Sequence, residues 1–171
     1  MKRLLGITVI TFLFANLPGQ AVNQTIQDPE TGQEILYGSV TWSGFMKPPF
    51  GDWFKAEYNS YEPDSNILEV LDPEILSTWS VTIVMGTWCS DSRRELPRFY
   101  KIWETLGLMF EKMDIIGVDT RKHAPDGMTD ILGIEKVPTF IFNRDDTELG
   151  RIVESPEESL EIELFRMLYE N

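Results

Sequence analysis

The strongest constraint on the fold is an alternation of apolar runs and amphipathic segments that begins at residue 81. The β-branched runs VTIVMG at 81–86 and MDIIGV at 113–118 are typical of buried strands. Between them, residues 92–107 carry apolar side chains at helical spacing and end at Gly107, which predicts a helix. A chain that alternates strands and helices in this way buries a sheet between helices.

Further predicted elements continue this order to the C-terminus. Thr129 is predicted to cap a short helix, and the closing helix is predicted to have Ser155 as its cap and Pro156 at its first position. The order from residue 81 is β-α-β-α-β-β-α, which predicts crossover helices between the first three strands and an antiparallel hairpin at the sheet edge. The elements are a helix over 129–134, strands over 139–143 and 149–154 joined by a turn over 144–148, and a helix over 155–170.

The segment before this pattern, residues 22–65, is predicted to be an extension that packs on a domain formed by residues 66–171. Its first part is polar and predicts a flexible lead-in over 22–35, followed by a strand over 35–42. Residues 43–64 are rich in aromatic side chains and contain a short helix near their middle. Aromatic residues at helical spacing favour burial against the domain, although a binding cleft remains an alternative. A helix over 67–79, broken at Asp72–Pro73, follows.

Residues 1–21 have the layout of a secretory signal peptide. A basic start, MKR, precedes the apolar run LLGITVITFLFA, and NLPGQA offers a cleavage site after Ala21. An uncleaved anchor is disfavoured, because about 12 residues of helix do not span a bilayer of about 30 Å. We therefore expect a periplasmic or secreted protein with no membrane association after signal removal.

Charge and cysteine content limit the function further. The chain carries 15 Lys and Arg against 28 Asp and Glu, a net charge of −13. Nucleic-acid binding and anionic membrane surfaces require a basic footprint, so neither is expected. The single cysteine, Cys89, cannot form a disulfide within the chain. Any disulfide must join Cys89 to another molecule.

The sequence TWCSDSRR at 87–94 places Cys89 where a strand passes into a helix. At such a position unpaired backbone N–H groups and the helix dipole favour a thiolate. Arg93 and Arg94 can add to this effect, whereas the carboxylate of Asp91 opposes it. The pattern therefore indicates a modestly activated thiol.

Residues 81–171 resemble the thioredoxin family in four ordered features. VTIVMGTWC resembles the strand that leads into the Trp-Cys-x-x-Cys active site, and Pro97 lies eight residues after Cys89, where thioredoxins have a helix-kinking Pro. KVPTFIF resembles the segment whose Pro is cis and packs beside the catalytic sulfur, which identifies Pro138, and LGRIVE resembles the last strand. More narrowly, GTWCSDSRRELPRFYKI resembles a secreted thioredoxin-like group with a Trp-Cys-x-Asp-Ser motif.

The resemblance implies a thioredoxin-like α/β fold, with a central mixed sheet flanked by helices and an N-terminal extension. It also implies that Cys89, with Trp88 before it, keeps the residues for the first step of the thioredoxin mechanism, in which a thiolate attacks a disulfide. Val137, whose backbone would pair with a substrate chain, Pro138 and Thr139 are the expected substrate-binding residues.

The resolving half of that mechanism is missing from the sequence. Ser92 stands where thioredoxins have their second Cys, and Ile83 stands where they have a buried acid. Ser92 is either a helix cap or a hydroxyl that hydrogen-bonds the thiolate. Asp91 is either an acid favoured by the helix dipole or a catalytic base.

The leading expectation is a thiol-disulfide exchange protein that acts through Cys89 alone. It would form mixed disulfides with protein thiols or disulfides, and a small thiol such as glutathione or a partner's own cysteine would resolve them. The alternatives are a redox-inactive binding or chaperone module and, with less support, a peroxidase or small-thiol transferase. No cofactor is expected. No metal is expected either, because the lone histidine, His123, lies in a polar loop and does not make a metal site.

Overall fold

A mixed β-sheet forms the centre of the fold. The computed structural model describes residues 21–145 and 147–170, without the side chain of Asp126. Within these residues the sheet has six strands: β1 (Gln24–Gln27), β2 (Glu34–Val40), β3 (Ser80–Met85), β4 (Met113–Gly117), β5 (Thr139–Arg144) and β6 (Thr147–Val153). Their spatial order is β1-β2-β4-β3-β5-β6, and β3 pairs in parallel with β4. Each of the other neighbouring pairs is antiparallel.

Helices cover this sheet and connect most of its strands. The longest, α5, buries one apolar face that includes Phe99, Ile102 and Trp103. It runs through Pro97 without a break and ends before Gly107, whose φ is +69°. The helices are α1 (Trp42–Phe45), α2 (Gly51–Ser60), α3 (Ser65–Leu68), α4 (Pro73–Leu76), α5 (Ser90–Thr105), α6 (Met128–Ile131) and α7 (Leu160–Tyr169), with 3-10 turns at Phe110–Lys112 and Pro125–Gly127.

The predicted α/β, thioredoxin-like class with a central mixed sheet flanked by helices is confirmed, but one crossover is not. α5 joins the parallel strands β3 and β4, as expected, whereas β5 runs antiparallel to β3. The connection into β5 contains the 3-10 turn Pro125–Gly127 and the short helix α6, whose four residues advance about 6 Å. A six-residue strand such as β5 extends about 20 Å, so α6 does not carry the chain back along the sheet.

Two predicted helix caps are wrong. α7 begins at Leu160 rather than near Ser155, and the Ser159 hydroxyl accepts the Ile162 N–H at 3.2 Å. Ser155 instead accepts a hydrogen bond from Arg94 at 2.6 Å. Thr129 is buried inside α6, whose cap position is Gly127 with φ +67°. The predicted break at Asp72 is confirmed, because its carboxylate caps α4.

The predicted flexible lead-in over 22–35 is wrong as well. It forms β1 and the turn into β2, and β2 pairs with β4 in the central sheet. Gly117 on β4 permits this pairing, because a Cβ there would lie 2.4 Å from the Leu36 carbonyl oxygen. The extension therefore contributes strands to the sheet.

Aromatic residues of the extension pack into the main core, as the sequence favoured. Phe45, Phe50 and Phe54 are all buried in the cluster that contains Phe99 of α5. A smaller cluster on Val84, Val118, Ala124 and Val137 receives Trp88 and Cys89. The division at residue 65 stays a prediction, and so does the signal peptide, which apart from Ala21 lies outside the described residues. Among the described helices, none combines the length and apolarity that a bilayer crossing needs.

Candidate functional site

Cys89 occupies the cap position of α5, directly after the turn that leaves β3. Its N–H donates to the Gly86 carbonyl at 3.0 Å, and its own carbonyl accepts the Arg93 N–H at 3.0 Å. The backbone is extended at Cys89 (φ −84°, ψ 128°), so the helix starts one residue later. Cys89 is half-buried, and it is the one cysteine of the chain. The strand-to-helix junction therefore presents the sulfur at a helix N-terminus, as the sequence predicted.

The segment around Pro138 lies against the sulfur. The Val137–Pro138 peptide bond is cis, as the thioredoxin resemblance implied. The Cys89 thiol donates to the Val137 carbonyl, with Sγ and O 3.2 Å apart. The Thr139 side chain is buried and donates to the Lys136 carbonyl at 2.7 Å, so it holds the turn, and its role in substrate binding stays a prediction. Residues 48 positions apart in sequence thus meet at the thiol.

The Trp88 side chain is fixed against the turn that leads from β3 to α5. Its indole N–H donates to the Val118 carbonyl at 3.0 Å. The ring lies over Gly86, where an added Cβ would come within 2.5 Å of indole atoms. Gly86 therefore permits the close approach of Trp88, a requirement that the sequence analysis missed although Gly-Thr-Trp-Cys carries the signal.

Ser92 does not cap α5, because the helix begins two residues earlier, at Ser90. Its buried hydroxyl accepts the Gly86 N–H at 3.3 Å and so fixes the turn that carries Cys89. The hydrogen bond from Ser92 to a thiolate stays a prediction. Ile83, at the position of the missing acid, is buried in β3.

The charged side chains near Cys89 are largely committed to other partners. Arg94 pairs with Asp91 at 2.8 Å and with the buried Glu95 at 2.6 Å, so the Asp91 charge is partly compensated. Arg93 donates to the Thr87 carbonyl at 2.5 Å and lies 5.7 Å from the ring centroid of Trp53. Within the described residues, Arg93 has no carboxylate partner, so it is the uncompensated cation of the site.

A cavity of about 570 Å³ adjoins the start of α5. One wall comes from α2 and the other from the first turn of α5, where Ser90 follows the cysteine directly. Sequence reasoning did not place the extension here, because the residues of α2 that line the cavity lie about thirty or more positions before Cys89. The lining residues are Trp53, Ala56, Glu57, Ser60, Ser90, Arg93 and Arg94.

His123 lies in the loop that follows β4. His123 is exposed, and its Nδ1 lies 3.8 Å from an Asp119 oxygen. Among the side chains that the structure describes, which do not include Asp126, no three His, Cys, Asp or Glu are placed to hold a metal ion.

Asp28 ties the β1–β2 turn to the loop that follows β4. Its buried carboxylate accepts from the N–H and hydroxyl groups of Thr31 and Thr120, at 2.8–3.0 Å. Burial alone would raise the pKa of Asp28, but these hydrogen bonds outweigh it and hold the pKa well below the usual 3.8. The carboxylate is therefore a charged structural anchor between the extension and the sheet.

Comparison with known proteins yields structural similarity alone. No family model matches the chain, and no curated protein matches it. It is similar to a thioredoxin from Fasciola hepatica (19% identity, TM-score 0.40, covering 53% of this chain and 82% of that one). It is also similar to a Pseudomonas aeruginosa protein of unknown function (15%, 0.42, 68% of each chain) and to thioredoxin O2 from Arabidopsis thaliana (17%, 0.39, 68% and 90%). The fold class rests on the strand order and on the geometry of Cys89 and Pro138.

Proposed function

We propose that the protein is an exported thiol-disulfide exchange protein that acts through Cys89 alone. The observation that carries the proposal is the 3.2 Å approach of the Cys89 sulfur to the carbonyl that precedes cis Pro138. A half-buried cysteine beside a fixed backbone segment suits attack on a disulfide in an extended partner chain. The predicted signal peptide supports a periplasmic or secreted location.

The exchange step needs no second cysteine. The Cys89 thiolate attacks one sulfur of a partner disulfide, a Cys89–partner S–S bond forms, and the other partner sulfur leaves as a thiolate. A second thiolate, from a small molecule or from the partner, then attacks the mixed disulfide and releases Cys89. The buried Ser92 and Ile83 supply neither a resolving sulfur nor a proton acceptor, which supports capture with external resolution.

The first test measures the reactivity of Cys89 with an alkylating agent at pH 6 by mass spectrometry. A free thiol with a pKa near 8.5 is less than about 1% thiolate at this pH. We expect folded protein to react much faster than the same protein in 8 M urea, which serves as the control with an identical thiol. Equal rates, or slower reaction in the folded state, would contradict an activated thiol.

A second test separates exchange from the alternative of a redox-inactive binding module. Partners are recovered from cells under non-reducing conditions with wild type and with Cys89→Ser. Exchange predicts covalent adducts that disappear in the variant and on treatment with a reductant. Partners that remain bound to Cys89→Ser, with no covalent adduct in wild type, would favour the binding module.

A further inference from the structure

A second cavity lies where the extension meets the C-terminal half of α5, and the proposed exchange reaction does not use it. Its volume is about 290 Å³, at the small end of the range for ligand sites. Four of its five lining residues are aromatic. They are Trp42 and Tyr58 from the extension and Tyr100 and Phe110 from the domain, and Glu104 is the fifth.

The four rings form one continuous aromatic wall. Trp42 lies 4.8 Å from Tyr100 and 5.9 Å from Tyr58 between ring centroids, and Tyr100 stacks on Phe110 at 4.9 Å. Unlike the buried phenylalanines of the extension, Trp42 is 39% exposed and Phe110 is 37% exposed. Adjacent large rings that remain in contact with water are typical of binding sites.

A carboxylate without a cationic partner adds negative charge to this cavity. Glu104 is exposed and accepts the Tyr58 hydroxyl hydrogen bond. In the described part of the chain no Lys or Arg forms an ion pair with it, and Lys101, one turn earlier, pairs with Glu62 at 3.5 Å. The Lys101 ammonium lies 5.8 Å from the Tyr58 ring centroid, so this ring already has a cation near it.

Aromatic faces and one carboxylate select for a particular type of cation. Ring faces carry partial negative charge and attract cations within about 6 Å. A primary ammonium is a compact and strongly hydrated charge, so it must give up water to approach the ring faces. A quaternary ammonium has no N–H group and presents methyl groups to the rings. We propose that the cavity binds a compact organic cation of the quaternary-ammonium class.

The test uses choline and its uncharged isostere 3,3-dimethyl-1-butanol as probes in NMR titrations. The sample is the chain without its predicted signal peptide, and sodium chloride is the control for ionic strength. We expect choline to shift the Trp42 indole N–H and its own methyl signals to move upfield from the ring currents. The neutral isostere should bind at least about two- to fivefold more weakly, the ratio expected for a partly exposed cation–π site. Equal binding of the two probes, no binding, or shifts that map elsewhere on this acidic protein would overturn the proposal.

Variants locate the site. Glu104→Gln and Phe110→Leu should each weaken choline binding about two- to fivefold, whereas Glu69→Gln, at an exposed carboxylate directly after α3, should not. Phe110 and Glu104 are both exposed, so neither change removes a buried group. Unchanged affinity in both variants would overturn the proposal, because the cation would then be held by the net charge of −13 rather than by this cavity.

Discussion

The Cys89 site and the aromatic extension meet the same helix, α5, and are stabilised in opposite ways. Around Cys89 the chain is held by a few hydrogen bonds, in which Gly86 donates to Ser92 and Trp88 donates to Val118, and Cys89 itself stays half-buried. At the extension, large rings such as Phe54 are removed from water. Burial of apolar area is the larger contribution to folding, so we infer that stability depends on the extension and that the thiol site can change without loss of the fold.

The largest loss of stability is expected from a substitution in the buried part of the extension. Phe54→Ala removes a fully buried ring that contacts Trp42, Phe45 and Tyr100, and it should lower the free energy of unfolding by about 3–5 kcal/mol. Urea unfolding measures this as a lower midpoint with an unchanged slope. Lys55→Ala, at the next and exposed position, is the control and should change stability by less than about 0.5 kcal/mol.

Cys89→Ser completes that comparison, since it should change stability by less than about 1 kcal/mol at a partly exposed position. A Cys89→Ser variant as unstable as Phe54→Ala would show that the thiol site is part of the core. A loss of under about 1 kcal/mol in Phe54→Ala would instead show that the extension is peripheral.

The second prediction concerns Asp28, the polar anchor of the extension. Asp28→Asn leaves the Thr120 N–H facing an amide group instead of a carboxylate oxygen, and it should lower stability at pH 7 by about 1.5–3 kcal/mol. Asp52→Asn, at an exposed position of the same extension, is the matched control. Urea unfolding at pH 7 compares the two, and equal effects would contradict the anchoring role.

The pH dependence of stability is a second test of the anchoring role of Asp28. The pKa of Asp28 is held below 3.8 in the folded protein, so its contribution is complete above that pH. It is lost as the pH falls below about 4 towards the folded pKa, by at most about 1.4 kcal/mol per pH unit. Wild type should therefore lose more stability between pH 4 and pH 3 than Asp28→Asn does. Equal losses in the two proteins would contradict the anchoring role of the Asp28 carboxylate.

The third prediction addresses the turn that supports Cys89. Gly86→Ala places a Cβ within 2.5 Å of the Trp88 ring, so the ring must move and its hydrogen bond to Val118 weakens. We expect a loss of about 1–3 kcal/mol and a slower alkylation of Cys89. Gly32→Ala, a glycine with no neighbour near the added Cβ but with φ +67°, controls for backbone strain alone. A smaller effect at Gly86 than at Gly32 would contradict the packing role of Trp88.

The Cys89 site was largely predictable because its parts are local. Each part can be predicted from a short stretch of sequence: the strand, the Trp-Cys pair, the helix and the later Val-Pro pair. The structure then brings Cys89 and Val137 into contact. The predicted cap role of Ser92 was wrong because it depends on where the helix begins, and a boundary predicted from sequence is uncertain by one or two residues.

The extension was less predictable because its order comes from distant partners. Residues 22–35 are polar and turn-rich, yet they form a strand and a turn, since β2 provides an adjacent edge and Thr120 satisfies Asp28. Burial was predicted correctly for Phe54, whereas Trp42 was predicted to end a strand and instead begins α1, where it is exposed. Pairing across some ninety residues, as between Asp28 and Thr120, leaves no local signal in the sequence.

The smallest expected effect separates the two roles considered for Asp91. The Asp91 and Arg94 side chains are 34% and 37% exposed, and such a pair contributes about 0–1 kcal/mol, so Asp91→Asn should barely change stability. If the carboxylate merely opposes a thiolate on Cys89, its removal raises the alkylation rate on the order of twofold at low salt, and salt reduces the difference. If Asp91 instead acts as a catalytic base, the exchange rate with a model disulfide falls by about 10²–10⁴-fold. Because Arg94 compensates Asp91 and also pairs with Glu95, we expect the first result. Stopped-flow alkylation and disulfide exchange on the same variant distinguish the two outcomes.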